Sequence, residues 1–194
     1  MVSAEKRREE ALRGGVIKRK KFWVQVLVGL IIYGLISSFY LNYSWNRYEE
    51  NAKDDAIMLA QSVKSMFHAE HLAQLTGTES DLETQEYSMA KSNLAQLVYT
   101  TNPIRFAYLV GLRNGQLVFL VDSEEVGSPD YSPPGQVYHD ANPLFLQGIQ
   151  ENRTIITEPF TDRWGSWVSV LVPIQSPEGN EVIAAFVLDF PASQ

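Results

Sequence analysis

The side chains best equipped to bind something are aromatic, acidic and guanidinium groups in the C-terminal two-thirds of the chain. Tyr131 and Tyr138 flank a Ser-Pro-Pro-Gly turn. Proline fixes its own φ, so this loop can present both rings over a pocket with little ordering cost, or equally plug a core with them. Trp164 and Trp167 bracket Gly165 and Ser166 at the start of a strand. Alternation separates positions 165 and 167 from 164 and 166, making Trp164, outside the regular strand, the pocket candidate and Trp167 the core residue. Arg105 and Arg163 carry paired donors suited to a planar carboxylate, although a surface arginine is the commoner outcome. The same alternation sets Phe106, Tyr108 and Val110 opposite Arg105, Ala107 and Leu109, so Arg105 and Tyr108 should not line one pocket. Tyr108 is the preferred of the two. Asp122 and Asp189 close two apolar strands, either as binding groups or as strand-end acids facing water.

Other chemistry is poorly supported. His68 and His71 are three apart on one helix with Glu70 between them, and His139 lies far along the chain. Zinc needs three or four convergent ligands and nothing supplies the rest, so solvated histidines and no metal site are expected. With no cysteine, thiolate ligation, disulfides and cysteine nucleophiles are excluded. No phosphate-binding glycine loop, nucleophile elbow or kinase motif occurs, so neither a cofactor nor a catalytic domain is expected.

These groups depend on elements that the hydrophobic pattern outlines. Residues 22–41 read FWVQVLVGLIIYGLISSFYL, twenty residues without a charge. As a helix they span roughly 30 Å, a bilayer's hydrocarbon thickness. Trp23 stands at one end, with Tyr40, Tyr43 and Trp45 at the other, where interfacial aromatics belong. Lys18, Arg19, Lys20 and Lys21 precede the segment, and the next basic residue is Arg47. The positive-inside rule then keeps the N-terminus cytoplasmic and sends the rest outside. A cleaved signal peptide or a buried core helix is the alternative; the run is long for the first and too uniformly apolar for the second. The net charge of -7 hides an asymmetry: residues 1–21 sum to +5 and the remainder to -12. An acidic folded part argues against nucleic acid as a partner.

Residues 45–75 read as one long helix. Ala52, Ala56, Leu59, Val63, Met66 and Ala73 form a heptad-like seam, and Ile57, Ala60, Lys64, Phe67 and His71 a second stripe. The two suit a helix that covers its own domain and meets a second copy, or else form one wide core-facing side. Gly77 is the expected helix stop. A second helix is expected over 84–99, with strands over 104–112 and 117–122 joined at Asn114-Gly115. A structured loop fills 123–138, a short helix 142–151 and an edge strand 154–157. A last hairpin, 167–174 with 181–190, turns through Ser176 to Asn180. The fold class expected is α+β, with helices on one face of an antiparallel sheet.

The strings RFAYLVGLRNG (105–115), VDSEE (121–125), DYSPPGQVY (130–138) and TDRWGSWVSVLVPI (161–174) follow one another behind the apolar segment. In that order the chain resembles the extracytoplasmic Cache (PAS-like) sensor domains of bacterial histidine kinases, diguanylate cyclases and chemoreceptors, over about residues 45–190. The resemblance implies three parts: a cytoplasmic basic tail (1–21), a transmembrane helix (22–41) and a PAS-like sensor domain (42–194) outside the inner membrane. It implies relay of a small-molecule signal through the membrane-proximal helices to an output such as a two-component kinase or a cyclase. The expected ligand is a small organic solute, a carboxylate or amino acid first, held by Tyr108, Tyr131, Tyr138, Trp164, Asp189, Arg163 and Asp122. Relatives use an aspartate near the end of the last strand to hold a ligand ammonium, and Asp189 matches it. Many carry a second acid nearby where this chain has Pro191, and most continue into a second membrane helix where this sequence reaches Gln194. A larger receptor, cut here, or a receptor stub is therefore expected. A homodimer is expected as well, and a membrane-anchored protein-interaction module without a small ligand is the alternative.

Overall fold

A computed structural model describes the backbone of residues 2–179 and 181–192, and their side chains except those of residues 2–20 and Glu49. Asn180 of the last turn, together with Ser193 and Gln194, lies outside the described residues. The chain divides into two compact units between Ala52 and Lys53. The first is helical throughout its described residues and belongs to α1 (Val2–Lys64). Its most apolar window has a mean hydropathy of 2.0 and no buried share.

The second unit is built on an antiparallel sheet. Its strands are β1 (Phe106–Arg113), β2 (Gln116–Asp122), β3 (Ile155–Ile156), β4 (Phe160–Asp162), β5 (Gly165–Gln175) and β6 (Val182–Pro191). They run in the order β2-β1-β6-β5-β3, with β4 also pairing with β5. The β1–β2 turn has Asn114 at φ 51° and Gly115 at φ 77°, both in the left-handed region that a two-residue hairpin turn requires. Alternation along the strands feeds two apolar layers. Ala107, Leu109, Phe186, Leu188, Val170 and Val172 face one side, where they meet the end of α1, α2 (Ala69–Leu72) and α3 (Gln85–Thr100). Phe106, Tyr108, Val110, Val187 and Leu171 face the other, under α4 (Pro143–Gln150). This is the expected α+β class, with the long helix and the second helix on one face; α4 takes the opposite one. Thr84 caps α3 by accepting from the Tyr87 N–H, and Asn142 caps α4 in the same way from Leu144.

The structure corrects the expected helix over 45–75. Helix α1 ends at Lys64, and a turn leads into α2. Ser62 and Ser65 hydroxyls donate to the carbonyls of Met58 and Ser62, competing with helix continuation. The turn lets Phe67 reach Phe186, at 5.4 Å between ring centres, and buries Leu72 and Leu75. A straight helix would carry these side chains past the sheet. The two stripes accordingly merge: Ala56, Ile57, Leu59, Ala60, Val63 and Phe67 all pack on the core, while Ala52, Met66 and Ala73 stay exposed. Gly77 is no helix stop. It sits at φ 71° beyond α2 and gives its N–H to Asp81, and its carbonyl lies 2.7 Å from where a Cβ on Gly135 would stand. Strand β4 is a further element absent from the sequence reading.

Leu94 is fully buried between α3 and the sheet. In the detergent-solubilised chain, Leu94→Ala should lower chemical-denaturation stability by about 2–5 kcal/mol. Val126→Ala, at a position 70% exposed, should change it by less than about 0.5 kcal/mol.

Candidate functional site

A cleft opens on the α4 side of the sheet, where β1, β2 and β6 meet the loop that follows β2. Its floor is Phe106 and Tyr108 of β1, with Asp189 of β6. Phe119 and Asp122 of β2 form one wall. Asp130, Ser132 and Tyr138 of the loop and Trp164 of the β4–β5 turn close it. The cavity volume is about 20 Å3, and about 250 Å3 with its open mouth included. The closed part holds about one water.

Local irregularities aim these groups. Plain alternation in β2 would put Asp122 on the helix side with Leu120. A bulge intervenes: Leu109 pairs with Val121 but Val110 with Phe119, leaving Leu120 as the extra residue. Leu120 and Val121 both enter the helix-side layer, and Asp122 emerges on the cleft side with Phe119. A second device is Asp162. It accepts hydrogen bonds from the Trp164 and Gly165 N–H groups (2.9 and 3.1 Å), from Trp167 Nε1 (2.9 Å) and from the Tyr138 hydroxyl (2.7 Å). One carboxylate therefore sets the turn, the cleft ring of Tyr138 and the core ring of Trp167. Sequence reasoning missed it, although Asp-Arg-Trp-Gly has the signature of an aspartate-initiated turn.

The aromatic groups form a connected set. Phe119 stacks on Tyr138 at 4.9 Å, and Trp164 meets both edge-on at 5.7 and 5.6 Å. Tyr108 lies 5.3 Å from Phe119. Beneath them Asp189 is almost fully buried, taking hydrogen bonds from Ser169 Oγ (2.5 Å) and the Tyr108 hydroxyl (3.4 Å). Among the described residues it has no cationic partner. Burial raises its pKa to about 7, with Asp162 and Asp122 pushing the same way against the two hydrogen bonds. Asp122 is also raised by burial, opposed by the N–H groups of Glu124 (2.9 Å) and Ser132 (2.6 Å) and by Lys91. Burial raises the Tyr108 and Tyr138 hydroxyls as well.

The structure thus brings Tyr108, Tyr138, Trp164, Asp122 and Asp189 to one cleft and keeps Trp167 in the core. Trp164 shares the layer of Trp167, because it lies in the turn before the strand and strand parity does not govern it. Tyr131 and Arg163 depart from expectation, and Arg105, the less favoured of the strand pair, also stays outside the cleft. Tyr131 turns toward α3, where its hydroxyl bonds that of Tyr87 at 3.0 Å and Lys91 sits 4.7 Å over its ring; the Ser132–Asp122 tie rotates it off the cleft. Arg163 is exposed and stacks its guanidinium on the Trp164 ring at 3.9 Å. Arg105 is engaged by Glu124 (2.6 Å) and Asp130 (2.8 Å), so it offers no free fork to an anion. Asp130, Ser132, Phe106 and Phe119 line the cleft unforeseen. Three carboxylates line the cleft; Asp130 is paired with Arg105, whose guanidinium also lies 4.0 Å over the Phe106 ring, so Asp122, Asp189 and the π faces are the groups that favour a cation over an anion.

No family model and no curated protein matches the chain. Solved structures are similar to it. The ligand-binding domain of the Campylobacter jejuni chemoreceptor Tlp3, in complex with 4-methylisoleucine, gives a TM-score of 0.48 at 15% identity, over 73% of this chain and 52% of that one. The ligand-binding domain of the Pseudomonas aeruginosa PAO1 amino acid chemoreceptor PctC, in complex with GABA, gives 0.43 at 17% identity, over 71% and 54%. A methyl-accepting chemotaxis protein fragment, residues 122 to 287, gives 0.39 at 15% identity, over 65% and 84%. The chain spans about half the length of the first two.

Proposed function

We propose that this chain is the ligand-sensing part of a membrane receptor, and that its cleft takes a small organic molecule by an ammonium group. The carrying observation is a buried aspartate without a counter-ion, set under an aromatic box. A bound ammonium supplies the missing charge, and the rings add cation–π attraction. Amino acids and simple amines fit this chemistry better than dicarboxylates, since both candidate arginines stand outside the cleft. The small closed volume means that Trp164, carried on a turn, swings outward to admit a ligand. Residues 22–41 anchor the chain in the bilayer with the N-terminus cytoplasmic, in keeping with their exposed apolar surface and the lysines before them. A reporter fused at residue 192 should then report from outside the cytoplasm; an intracellular signal there overturns the receptor reading.

The relay begins in the loop over the cleft. Lys91 of α3 donates to the carbonyls of Asp122 and Glu124 (2.9 and 2.5 Å), and Tyr87 of α3 holds Tyr131. Rearranging the loop around a ligand moves α3, which shares its apolar layer with the end of α1.

Thermal-shift screening of the detergent-solubilised chain should find stabilisation by amines or amino acids and none by dicarboxylates. At a hundredfold excess over Kd the gain is about 2.7 kcal/mol. Asp189→Asn should abolish the shift. Stabilisation by dicarboxylates alone would rule the cation reading out.

Proton linkage gives a second test. The pKa of Asp189 is about 7 in the folded chain, against 3.8 as its ordinary value. The folded state therefore binds more protons between these pH values. Stability of the free chain should fall as pH rises from about 4 to about 7, then level off, losing at most roughly 4 kcal/mol from this group. Asp189→Asn should flatten the profile. A bound ammonium holds the carboxylate ionised, so binding releases a proton, and affinity should rise up to about tenfold per pH unit until near neutrality.

A further inference from the structure

A second cavity lies on the helix side of the sheet, apart from the aromatic cleft. It opens between the turn after α1, helix α2 and the first half of α3, with about 320 Å3 of empty space, its mouth included. Met66, His68 and His71 line one wall, and Glu86 and Met89 the other. His68 is the extended residue before α2 and His71 lies in its last turn. Their ring centres stand 5.9 Å apart with planes at 75°. An ion about 2.0–2.1 Å from a ring nitrogen lies roughly 3 Å from the ring centre, so two imidazoles sharing one ion stand about 5–6 Å apart. The pair is already at bridging distance. Both rings are exposed, and among the described residues neither makes a side-chain hydrogen bond or ion pair.

What completes the set decides the metal. Among the described residues no three His, Asp or Glu side chains converge as ligands. A zinc-like or harder ion is therefore under-coordinated here. The remaining donors on the walls are the thioethers of Met66 and Met89, 61% and 46% exposed where methionine is ordinarily buried; the Met89 sulfur accepts a hydrogen bond from the Gln85 side-chain amide at 3.8 Å, which a bound cation replaces. Thioether with imidazole selects soft cations. The frame is rigid: Phe67 is docked on Phe186 and Leu72 is buried, which fixes the residues on either side of each. Glu86 and Met89, three apart on α3, share a helix face. Glu86 supplies negative charge beside the site.

We propose that Met66, His68, His71 and Met89 bind a soft monovalent cation, Cu(I) or its analogue Ag(I), giving the domain a metal input separate from the aromatic cleft. The absence of cysteine makes the test clean, because no thiolate competes. The detergent-solubilised full chain, with its four methionines methyl-labelled, is titrated with Ag(I) in chloride-free buffer. The Met66 and Met89 methyls and the His68 and His71 ring signals should shift together and saturate at one equivalent, while Met58, itself 60% exposed, stays put. His68→Ala/His71→Ala should weaken Ag(I) binding by at least about 10–100-fold, the cost already seen when only outer partners of a metal ligand are lost. Met66→Leu/Met89→Leu, which conserves volume, should weaken it comparably with an unchanged Tm. Asp189→Asn should leave it intact. The proposal is overturned if Met58 shifts alongside the others without saturation, if the leucine variant binds Ag(I) as tightly as the parent, or if Zn(II) binds the site more tightly than Ag(I).

Discussion

The central constraint in this domain is an aspartate placed where an ionised carboxylate is costly. Asp189 lies on β6 between Phe106 on one neighbouring strand and Ser169 on the other, so strand pairing on both sides fixes its position. Among the described residues its side-chain donors are two hydroxyls, which offset part of the desolvation cost but bring no charge. A buried carboxyl near neutrality is held between two states, protonated when alone and ionised when a cation arrives. Every group around the cleft bears on that balance. Asp122 and Asp162 push toward the protonated form, and the aromatic walls keep water and its dielectric out.

The cleft depends on departures from regular structure. Without the bulge at Leu120, Asp122 would point into the helix-side layer and away from the cleft. Without Asp162, the turn carrying Trp164 would lose three hydrogen bonds, and the Tyr138 hydroxyl its partner. Asp162 is a positioning residue, and it serves a second purpose as a fixed negative charge beside the site. The Pro-Pro loop is tied down similarly: Ser132 N–H reaches Asp122, and the Gly135 N–H and Gln136 carbonyl bond the backbone of Phe119. Aspartates thus both shape the cleft and set its charge.

Much of the fold was legible because it rests on period and punctuation. The 3.6-residue pattern located α3, the alternation located β1, β2, β5 and β6, and Asn114-Gly115 marked a hairpin. The break after Lys64 was not legible, since a helix-compatible pattern continues through it; what ends the helix is the pull of Phe67 and Leu72 toward a sheet formed forty residues later. In the site, strand parity separates Tyr108 from Arg105, and Asp189 is reached through the resemblance, by its place near the end of the last strand. Asp122 does not follow from parity, because a bulge reverses it. The arginines misled for a related reason: a guanidinium suits any carboxylate, and Arg105 has two within its own domain.

The narrow cleft and the buried acid belong to one mechanism. A wide, wet pocket would solvate Asp189, return its pKa toward the ordinary range and remove the premium on a bound cation. A closed one keeps the charge scarce, so that on the proposed reading an ammonium would enter together with an outward movement of Trp164. Asp162 holds that turn through the backbone N–H groups of Trp164 and Gly165 and the Trp167 indole; none of these bonds involves the Trp164 ring, whose packing can change while the turn stays anchored. The Tyr138 hydroxyl donates to the same carboxylate, and its ring packs against that of Trp164 at 5.6 Å, so a movement of Trp164 changes the packing of Tyr138. Tyr138 ends the loop whose opposite end, at Asp122 and Glu124, is gripped by Lys91 of α3. A change in one buried charge therefore has a continuous path of hydrogen bonds and packed rings across the edge of the sheet to the helices on its other face.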